Sequence, residues 1–271
     1  MSKPHFSYKT YRALQKAFNM GMTDPNAFAM MSEMPKKFWK NMPEAALIPE
    51  LIASAQSRES QMVDAGKIGF EKRPATLAEL GGRLQACRKC SIGCNATQAV
   101  AGEGALGSRL MIVGEQPGDQ EDIEGRPFVG PAGKLLDAFL GKSGIARADA
   151  FVTNAVKHFK YERRGKRRIH QSPTAKEIDT CRWWLESERQ IVGPKLILAL
   201  GASAARSVLG KTVSLQQARG RPVKLDDGSE LWITAHPSYL LRLTGDARLE
   251  QERLFARDLA AVQERMREVI I

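Results

Sequence analysis

Seven polar residues of this chain are of types that catalyse reactions or bind ligands, and they occur in four short stretches. The stretches read "GEQPGDQED", "VTNAVKHFK", "GKRRIH" and "HPS". The residues are Glu115, Gln116, Asn154, His158, His170, His236 and Ser238. A carboxylate stabilises a developing cation or activates a nucleophile, and a neutral imidazole transfers protons or attacks an electrophile itself. The set therefore predicts a reaction centre with acid–base or nucleophilic groups.

Four runs of β-branched or apolar residues are typical of buried strands. They are "RLMIVGE" (109–115), "AFVTNAV" (150–156), "KLILALG" (195–201) and "ELWITAH" (230–236). Helical segments such as "AGKLLDAFLGKSG" and "ASAARSVLG" follow the runs. Strands that are apolar on both faces and alternate with helices indicate a parallel sheet. The sequence therefore predicts an α/β fold, a three-layer α/β/α sandwich around a central four-stranded parallel sheet, closed by a helix over residues 246–271.

The candidate residues follow the predicted strands, where ligands bind in sheets of this kind. Three of the four histidines, His158, His170 and His236, come after strand ends, so we expect them on one rim of the sheet. Glu115 ends the first run, where a carboxylate is partly desolvated. Phe128 lies in "PFVG", between turn-forming residues. It is either a core residue or an aromatic that stacks on a nucleic-acid base.

The basic charge of the chain favours a polyanion partner such as nucleic acid. The formal net charge is +11 and the pI is about 9.6. Residues 157–168 contain seven Lys or Arg and one acid, Glu162. Charge runs are usually solvated loops. Lys166, Arg167 and Arg168 are therefore compatible with a solvated loop and with a loop that holds nucleic-acid phosphates.

Residues 1–70 differ in character from the rest of the chain. They are helix-prone but interrupted by Pro35, Pro43 and Pro49, and they predict a helical N-terminal appendage. Residues 71–271 form the predicted main domain. No apolar run approaches the roughly eighteen residues of a membrane helix, and the N-terminus lacks a compact apolar signal core. We therefore expect a cytoplasmic protein without a membrane partner.

Four cysteines indicate a metal or cluster site, because disulfides are rare in a chain without a secretory signal. Three of them, Cys87, Cys90 and Cys94, are clustered, and Cys181 is distant in sequence. The residue types alone leave zinc open, since three Cys and one His also suit zinc.

Together, "GEQPGDQEDIEGRPFVGPAG", "VTNAVKHFK", "KRRIH" and "HPS", after an upstream "CRKC", resemble the uracil-DNA glycosylase superfamily. The resemblance covers about residues 83–265. Within the superfamily, the chain most resembles the family 4 branch, which has an iron–sulfur cluster. Within that branch it resembles UdgX-type members, which attach covalently to uracil-containing DNA. "MPKKFWKNMPEAALIPELI" resembles part of a domain of unknown function fused ahead of some of these proteins, which interprets residues 1–70 as a remnant.

The resemblance implies a site that reads a flipped-out uracil and cleaves its bond to the sugar. Phe128 would stack on the base, and Asn154 would pair with its edge. His236 would hydrogen-bond the departing uracil oxygen, as in an oxyanion hole. Glu115 would stabilise the cationic sugar or position a nucleophile, and Gln116 would help to place the base or a water.

The resemblance to UdgX-type members further implies that His170 attacks C1′ in place of water and stays attached. Lys166, Arg167, Arg168 and Ser238 would contact the DNA, and Arg168 would also orient the loop. The expected partner is uracil-containing DNA, preferably single-stranded. Two alternatives stay open: an ordinary multiple-turnover glycosylase whose basic loop only grips DNA, and a non-catalytic nucleic-acid-binding module with a metal.

The resemblance also implies a 4Fe-4S cluster with a structural role. Its ligands would be Cys87, Cys90, Cys181 and His158, which stands where ordinary family 4 members have a cysteine. Histidine can replace cysteine on an iron–sulfur cluster. We favour His158 over Cys94 as the fourth ligand, because the family has no ligand at the position of Cys94.

Overall fold

The computed structural model describes residues 72–269. The predicted helical appendage at residues 1–70 lies outside the described residues. The strands are β1 (Leu110–Gly114), β2 (Ala150–Asn154), β3 (Tyr161–Arg164), β4 (Arg167–His170), β5 (Leu196–Leu200), β6 (Val223–Lys224) and β7 (Glu230–Thr234). The helices are α1 (Leu77–Gln85), α2 (Ser91–Asn95), α3 (Asp119–Glu124), α4 (Pro131–Lys142), α5 (Ala175–Val192), α6 (Ala202–Leu209), α7 (Leu215–Ala218), α8 (Pro237–Arg242) and α9 (Gly245–Glu268), with a 3-10 turn at Arg147–Asp149.

The central sheet has the strand order β2-β1-β5-β7-β6. Its first four strands are parallel and are the four that the apolar runs predict, so that prediction is confirmed. The two-residue strand β6 pairs antiparallel with β7 and extends the sheet to five strands. Two residues are too few to show an alternation of apolar and polar side chains, so the sequence contained no signal for β6.

Both faces of the sheet are covered, which gives the three layers that were predicted. Alternate residues of β1 point to opposite faces, as the period of a strand requires. Leu110 and Ile112 pack in a cluster with residues of α4 and α9, including Phe255 and Leu259. The other face carries residues of α5 and α6 in a second cluster. That cluster includes Met111, Val113, Leu185, Ala204 and Val208.

The basic stretch expected as a loop is a β-hairpin. Strands β3 and β4 pair antiparallel from Tyr161↔His170 to Arg164↔Arg167, and they form a separate two-stranded sheet. The turn places Gly165 at φ 60°, a conformation that glycine adopts without strain. We call residues 161–170 the hairpin. Periodicity missed it because its charged residues lie on both faces and bury no continuous apolar side.

None of the helices within residues 72–269 is both long enough and apolar enough to cross a membrane.

Candidate active site

The parallel register brings the candidate residues to the carboxyl-terminal rim of the sheet. Gly114 at the end of β1 is the partner of Asn154 at the end of β2. Glu115 follows β1 directly, and its backbone carbonyl accepts a hydrogen bond from the Val156 N–H. His236 follows β7 by two residues. The predicted convergence of residues on one rim therefore holds for Glu115, Asn154 and His236. It is wrong for His158, whose ring lies against helix α2, with Cε1 3.3 Å from the position of a Cβ on Gly93.

Phe128 and Asn154 meet at Gly114, and His236 stacks on Phe128; we call these four residues the rim cluster. A Cβ on Gly114 would lie 2.4 Å from Asn154 Oδ1 and 2.5 Å from Phe128 Cζ. The rings of Phe128 and His236 are stacked, with centroids 6.1 Å apart. Within the described residues, the Asn154 side-chain amide makes no hydrogen bond to protein, so its donor and acceptor are available to a ligand.

Phe128 is held in an unusual backbone conformation, with φ at 58°, which costs about 1–3 kcal/mol in a residue other than glycine. Its carbonyl lies so close to Gly133 that a Cβ there would be 1.8 Å from the oxygen. The Glu121 carboxylate accepts hydrogen bonds from the Gly118 and Gly130 N–H groups, at 3.0 and 2.9 Å. This buried carboxylate therefore ties the loop after β1 to the loop of Phe128.

The protonation of His236 follows from its contacts. The Ser238 N–H donates to His236 Nδ1 at 3.1 Å, and the Ser238 hydroxyl lies 2.8 Å from the same atom. Nδ1 is therefore an acceptor, and the ring proton of the neutral imidazole is on Nε2. Burial, with smaller effects of His170 and Arg242, lowers the pKa of His236 to about 4. At neutral pH the residue is an uncharged donor through Nε2.

His170 and Glu115 face each other across the rim. His170 Nε2 lies 3.8 Å from Glu115 Oε1, and the His170 side chain is 49% exposed. The Ser203 hydroxyl donates to the other carboxylate oxygen, Oε2, at 2.6 Å. Partial burial is the largest cause that lowers the pKa of His170; Glu115 raises it and Arg242 lowers it. The imidazole is therefore mainly neutral near pH 7.

Arg168 attaches the hairpin to the body of the protein. Its guanidinium contacts the carboxylates of Asp119, at 2.6 Å, and of Asp122. It also lies 5.4 and 5.2 Å from the ring centroids of Phe159 and Tyr161. Asp122 is fully buried, and the nearby positive charge is paired with it. The predicted orienting role of Arg168 stays a prediction, and these contacts occupy the guanidinium that was also predicted to meet DNA.

Gln116 supports the base of the same hairpin. Its side-chain amide donates to the Lys160 and Gln171 carbonyls, at 3.2 and 3.0 Å, and its Oε1 accepts from the Lys160 N–H at 3.2 Å. Both ends of the amide are therefore used within the protein. The structure brings Gln116 to the site as a support for the hairpin, whereas we expected it to face the base or a water.

The basic window divides into buried and exposed charges. Lys157, which was counted with the surface charge, is completely buried. Its Nζ donates to Glu188 Oε2 at 2.6 Å, to Thr153 Oγ1 at 2.6 Å and to the Asn154 carbonyl at 2.7 Å. The sequence carried one usable signal for this pair, an acid on the buried face of the long helix α5.

The exposed cations of the hairpin lie around its turn. They are Arg163, Arg164, Lys166 and Arg167. Arg164 pairs with Glu162 at 3.2 Å, between side chains that are 68% and 28% exposed, a contact that water screens. The tip of the hairpin is therefore strongly positive and faces solvent, as a contact surface for phosphates requires.

The predicted cluster ligands lie in one region beneath the hairpin. Cys87 and Cys181 are buried with Trp184, and Cys90 packs against this group. The Trp184 Nε1–H donates to Cys87 Sγ, and the Lys157 N–H donates to Cys181 Sγ, both at 3.3 Å. Burial raises the pKa of Cys181 to about 12. This thiol stays protonated at neutral pH unless a metal replaces the proton.

His158 has the character of a ligand without a partner. Its side chain is buried, and Nε2 makes no hydrogen bond within the described residues. A Cβ on Gly93 would lie 3.3 Å from His158 Cε1, so the ring rests against helix α2, which Cys90 precedes. Burial lowers its pKa to about 4, which keeps the ring neutral.

The types of these side chains fit a metal cluster, although the side chains are not close enough together to coordinate one. Between residues 72 and 269, no group of three His, Cys, Asp or Glu side chains is close enough to hold a metal ion. Three neighbouring cysteines and a buried imidazole nitrogen with no partner are nevertheless the donors that iron–sulfur clusters or zinc take.

Comparison with known proteins identifies the family of this chain. The family described as "Uracil DNA glycosylase superfamily" matches residues 101–260. A type-4 uracil-DNA glycosylase of Thermotoga maritima is 42% identical over 161 residues, which are 59% of this chain and 80% of the relative. The type-4 enzyme of Pyrobaculum aerophilum is 35% identical over 61% of this chain and 85% of its own length. The type-4 enzyme of Archaeoglobus fulgidus is 30% identical over 61% and 83%.

The fold is thus that of a uracil-DNA glycosylase type of protein. The chain belongs to the uracil DNA glycosylase superfamily, with type-4 enzymes among its relatives.

Proposed function

We propose that this protein excises uracil from DNA and then remains covalently attached through His170. The observation that carries the proposal is the position of His170. Its neutral imidazole stands at the rim, 3.8 Å from the Glu115 carboxylate, on the same edge as the rim cluster. The named activity of the type-4 relatives supports the first half of the proposal.

The flipped uracil binds at the rim cluster. Phe128 stacks on the base, and the free amide of Asn154 pairs with its edge, donating to a carbonyl and accepting from the ring N–H. His236 donates through Nε2 to a uracil oxygen. Because this histidine is neutral, it stabilises the developing uracil anion by donating a hydrogen bond and keeps its own proton.

Excision breaks the C1′–N1 bond, and the bonding electron pair leaves on uracil N1. The Glu115 carboxylate stabilises the oxocarbenium-like sugar that remains. The lone pair of one imidazole nitrogen of His170 then forms a bond to C1′. The imidazolium that results loses the proton on its other nitrogen, and the uracil anion takes up a proton. Both products are then neutral. A held nucleophile of this kind competes well with water.

Cys87, Cys90, Cys181 and His158 would hold a 4Fe-4S cluster, in preference to a set with Cys94. The unpartnered Nε2 of His158 and the buried thiols support this assignment. When bound, the cluster would tie the segment before α2 to the residues that lead into the hairpin. Visible absorption of the purified protein, with iron and sulfide analysis, tests the cluster against zinc.

The DNA contacts are assigned to the tip of the hairpin, chiefly Lys166 and Arg167, with Ser238 on the other side of the rim. A single strand is the preferred substrate in this proposal, because its bases need no unpairing before they enter the site. Parallel reactions with single- and double-stranded uracil oligonucleotides test this preference.

The main experiment incubates the protein with a single-stranded uracil oligonucleotide and separates the products on a denaturing gel. A band shift that survives heat and detergent supports the covalent proposal. His170→Ala should abolish that band while the variant still binds the oligonucleotide. An adduct that persists in His170→Ala contradicts the assignment of His170.

An ordinary multiple-turnover glycosylase is the second candidate, favoured by the names of the type-4 relatives. In that case the same gel shows alkali-labile DNA without a shifted band. Binding without either product would leave only a nucleic-acid-binding module and would contradict both enzymatic proposals.

A further inference from the structure

Ser203 is the nearest polar neighbour of the Glu115 carboxylate, and neither the predicted site nor the proposed mechanism gives it a role. It is the second residue of α6, the helix that follows β5. Strands β1 and β5 are adjacent and parallel, so the residues after their ends meet at the rim. Gly201, at φ 90°, makes the turn that starts α6 there.

The contact of Ser203 is directed away from its own helix. A serine in the first turn commonly bonds to nearby backbone groups. Here the hydroxyl crosses to the neighbouring loop and donates to Glu115 Oε2 at 2.6 Å, the short distance of a hydrogen bond to a charged oxygen. In the part of the chain that the structure describes, it is the hydrogen-bond donor to this carboxylate. The Ser203 hydroxyl therefore stabilises the Glu115 carboxylate and does not cap its own helix.

This hydrogen bond divides the two carboxylate oxygens. Oε2 is occupied by Ser203, and Oε1 faces His170 Nε2 at 3.8 Å. A carboxylate held at one oxygen loses rotation about its last torsion, so the other oxygen keeps one orientation. An oxygen that already accepts a hydroxyl is also less able to hold and deprotonate a water.

We infer that Ser203 is a positioning residue that directs Glu115 Oε1 toward the sugar and His170, and thereby favours attack by His170 over attack by water. Both routes begin with the same cleavage of C1′–N1. In the water route, the water oxygen bonds to C1′, and its proton passes to a base and finally to uracil. Loss of the hydroxyl frees Oε2 to bind such a water. The inference rests on the proposed function.

The test compares Ser203→Ala and Ser203→Thr with wild type under single-turnover conditions. Each sample is scored for heat-stable adduct and for alkali-labile abasic DNA. Ser203→Ala should form adduct about ten- to a hundredfold more slowly, as expected for a lost hydrogen bond to a charged group. Its ratio of abasic DNA to adduct should rise, and the DNA concentration for half-saturation should stay unchanged. Ser203→Thr, which keeps the hydroxyl, should restore both quantities.

Ser207→Ala is the matched control, because Ser207 lies on the same helix and its hydroxyl donates to the Ala204 carbonyl in the core. That variant can lose stability, but its adduct ratio should equal that of wild type. An unchanged rate and ratio in Ser203→Ala overturns the inference, as does an equal change in Ser207→Ala.

The same experiment separates this inference from the proposed function. If wild type excises uracil without an adduct, attachment through His170 is wrong. The preference for His170 over water then fails with it, and only the positioning of Glu115 by Ser203 is tested, by an excision rate that must fall in Ser203→Ala and recover in Ser203→Thr. If wild type gives neither product, both proposals fail.

Discussion

The rim cluster and the hairpin are two sides of one site that are built in different ways. Gly114 and Asn154 end buried parallel strands, so the rim cluster cannot shift without disturbing the sheet. The hairpin buries little apolar surface and is attached through polar contacts of Arg168 and Gln116. In the proposed function, base recognition therefore depends on the core, and the position of His170 depends on a few replaceable contacts.

The largest effect is expected beneath the rim cluster, at the buried pair of Lys157 and Glu188. Both side chains have zero exposure. Lys157→Met leaves the Glu188 charge buried without its partner, which typically costs about 3–5 kcal/mol. Chemical denaturation of the purified protein measures this free energy of unfolding.

Arg126→Met is the control for that variant. Its pair with Glu103 joins side chains that are 62% and 44% exposed, so water screens the pair and its loss should destabilise the protein far less than loss of Lys157. If Lys157→Met is no more destabilising than Arg126→Met, the rim cluster does not depend on the buried pair.

Gly114→Ala should damage base recognition directly. The added Cβ would meet the Asn154 amide and the Phe128 ring at 2.4 and 2.5 Å, so one of them must move. A displacement of the order of 1 Å at a reacting site costs about a hundredfold in rate. The single-turnover excision rate on a uracil oligonucleotide measures this loss.

Gly141→Ala is a suitable control, because no atom lies within 4 Å of a Cβ at Gly141. It should excise uracil at the wild-type rate. A Gly114→Ala protein that also keeps that rate would show that uracil does not bind at the rim cluster.

On the hairpin side, Arg168→Met should slow adduct formation about tenfold, as loss of a charged hydrogen-bonded contact predicts. Amide hydrogen exchange in the hairpin should become faster. Stability should change less than in Lys157→Met, because the Asp122 carboxylate keeps the Thr97 N–H as a donor. Comparison of adduct rate, exchange and unfolding in one variant tests whether the hairpin is attached independently of the core.

Salt dependence separates attachment from DNA contact. Arg167→Met removes an exposed cation, so the slope of log binding constant against log salt should weaken by about 0.7 on a single strand. Arg168→Met should leave that slope unchanged. An equal change in both variants would assign Arg168 to the DNA backbone and remove the distinction between the two residues.

The smallest effect is expected from mild acid. The pKa of His170 is lowered below its ordinary value of about 6.5, and the reactive form is the neutral one. The rate of adduct formation is therefore highest above that pKa, and it decreases as the pH falls through it. Between pH 7.5 and pH 6 the rate should fall by less than about fourfold. A larger fall in a pH–rate profile would indicate that Glu115 dominates and raises the pKa of His170.

The sequence predicted those parts of the site that depend on neighbouring residues in the chain. Apolar runs located the four parallel strands, and polar residues after each strand located the rim. The sequence did not predict ion pairs between residues that are far apart in the chain. The residues next to Lys157 did not indicate that it turns inward to Glu188, since a lysine in a basic run is usually solvated.

The hairpin shows the same limit at the site itself. The charged stretch was expected as a loop, because pairing of two polar strands leaves no periodic apolar signal. Gln116 was expected to face the ligand, yet the carbonyls of Lys160 and Gln171 come within reach of its amide once the hairpin folds back.

By itself, the sequence determined the layered fold, the basic character and the candidates Glu115, Asn154, His170 and His236. Strand propensity, apolar patterning and residue chemistry act locally, so they can be read along the chain. Tertiary structure alone decided which oxygen of Glu115 faces His170, which tautomer His236 adopts and which cations are free for DNA. Those properties depend on atoms far apart in sequence that only the packed rim and its hairpin bring within hydrogen-bonding distance.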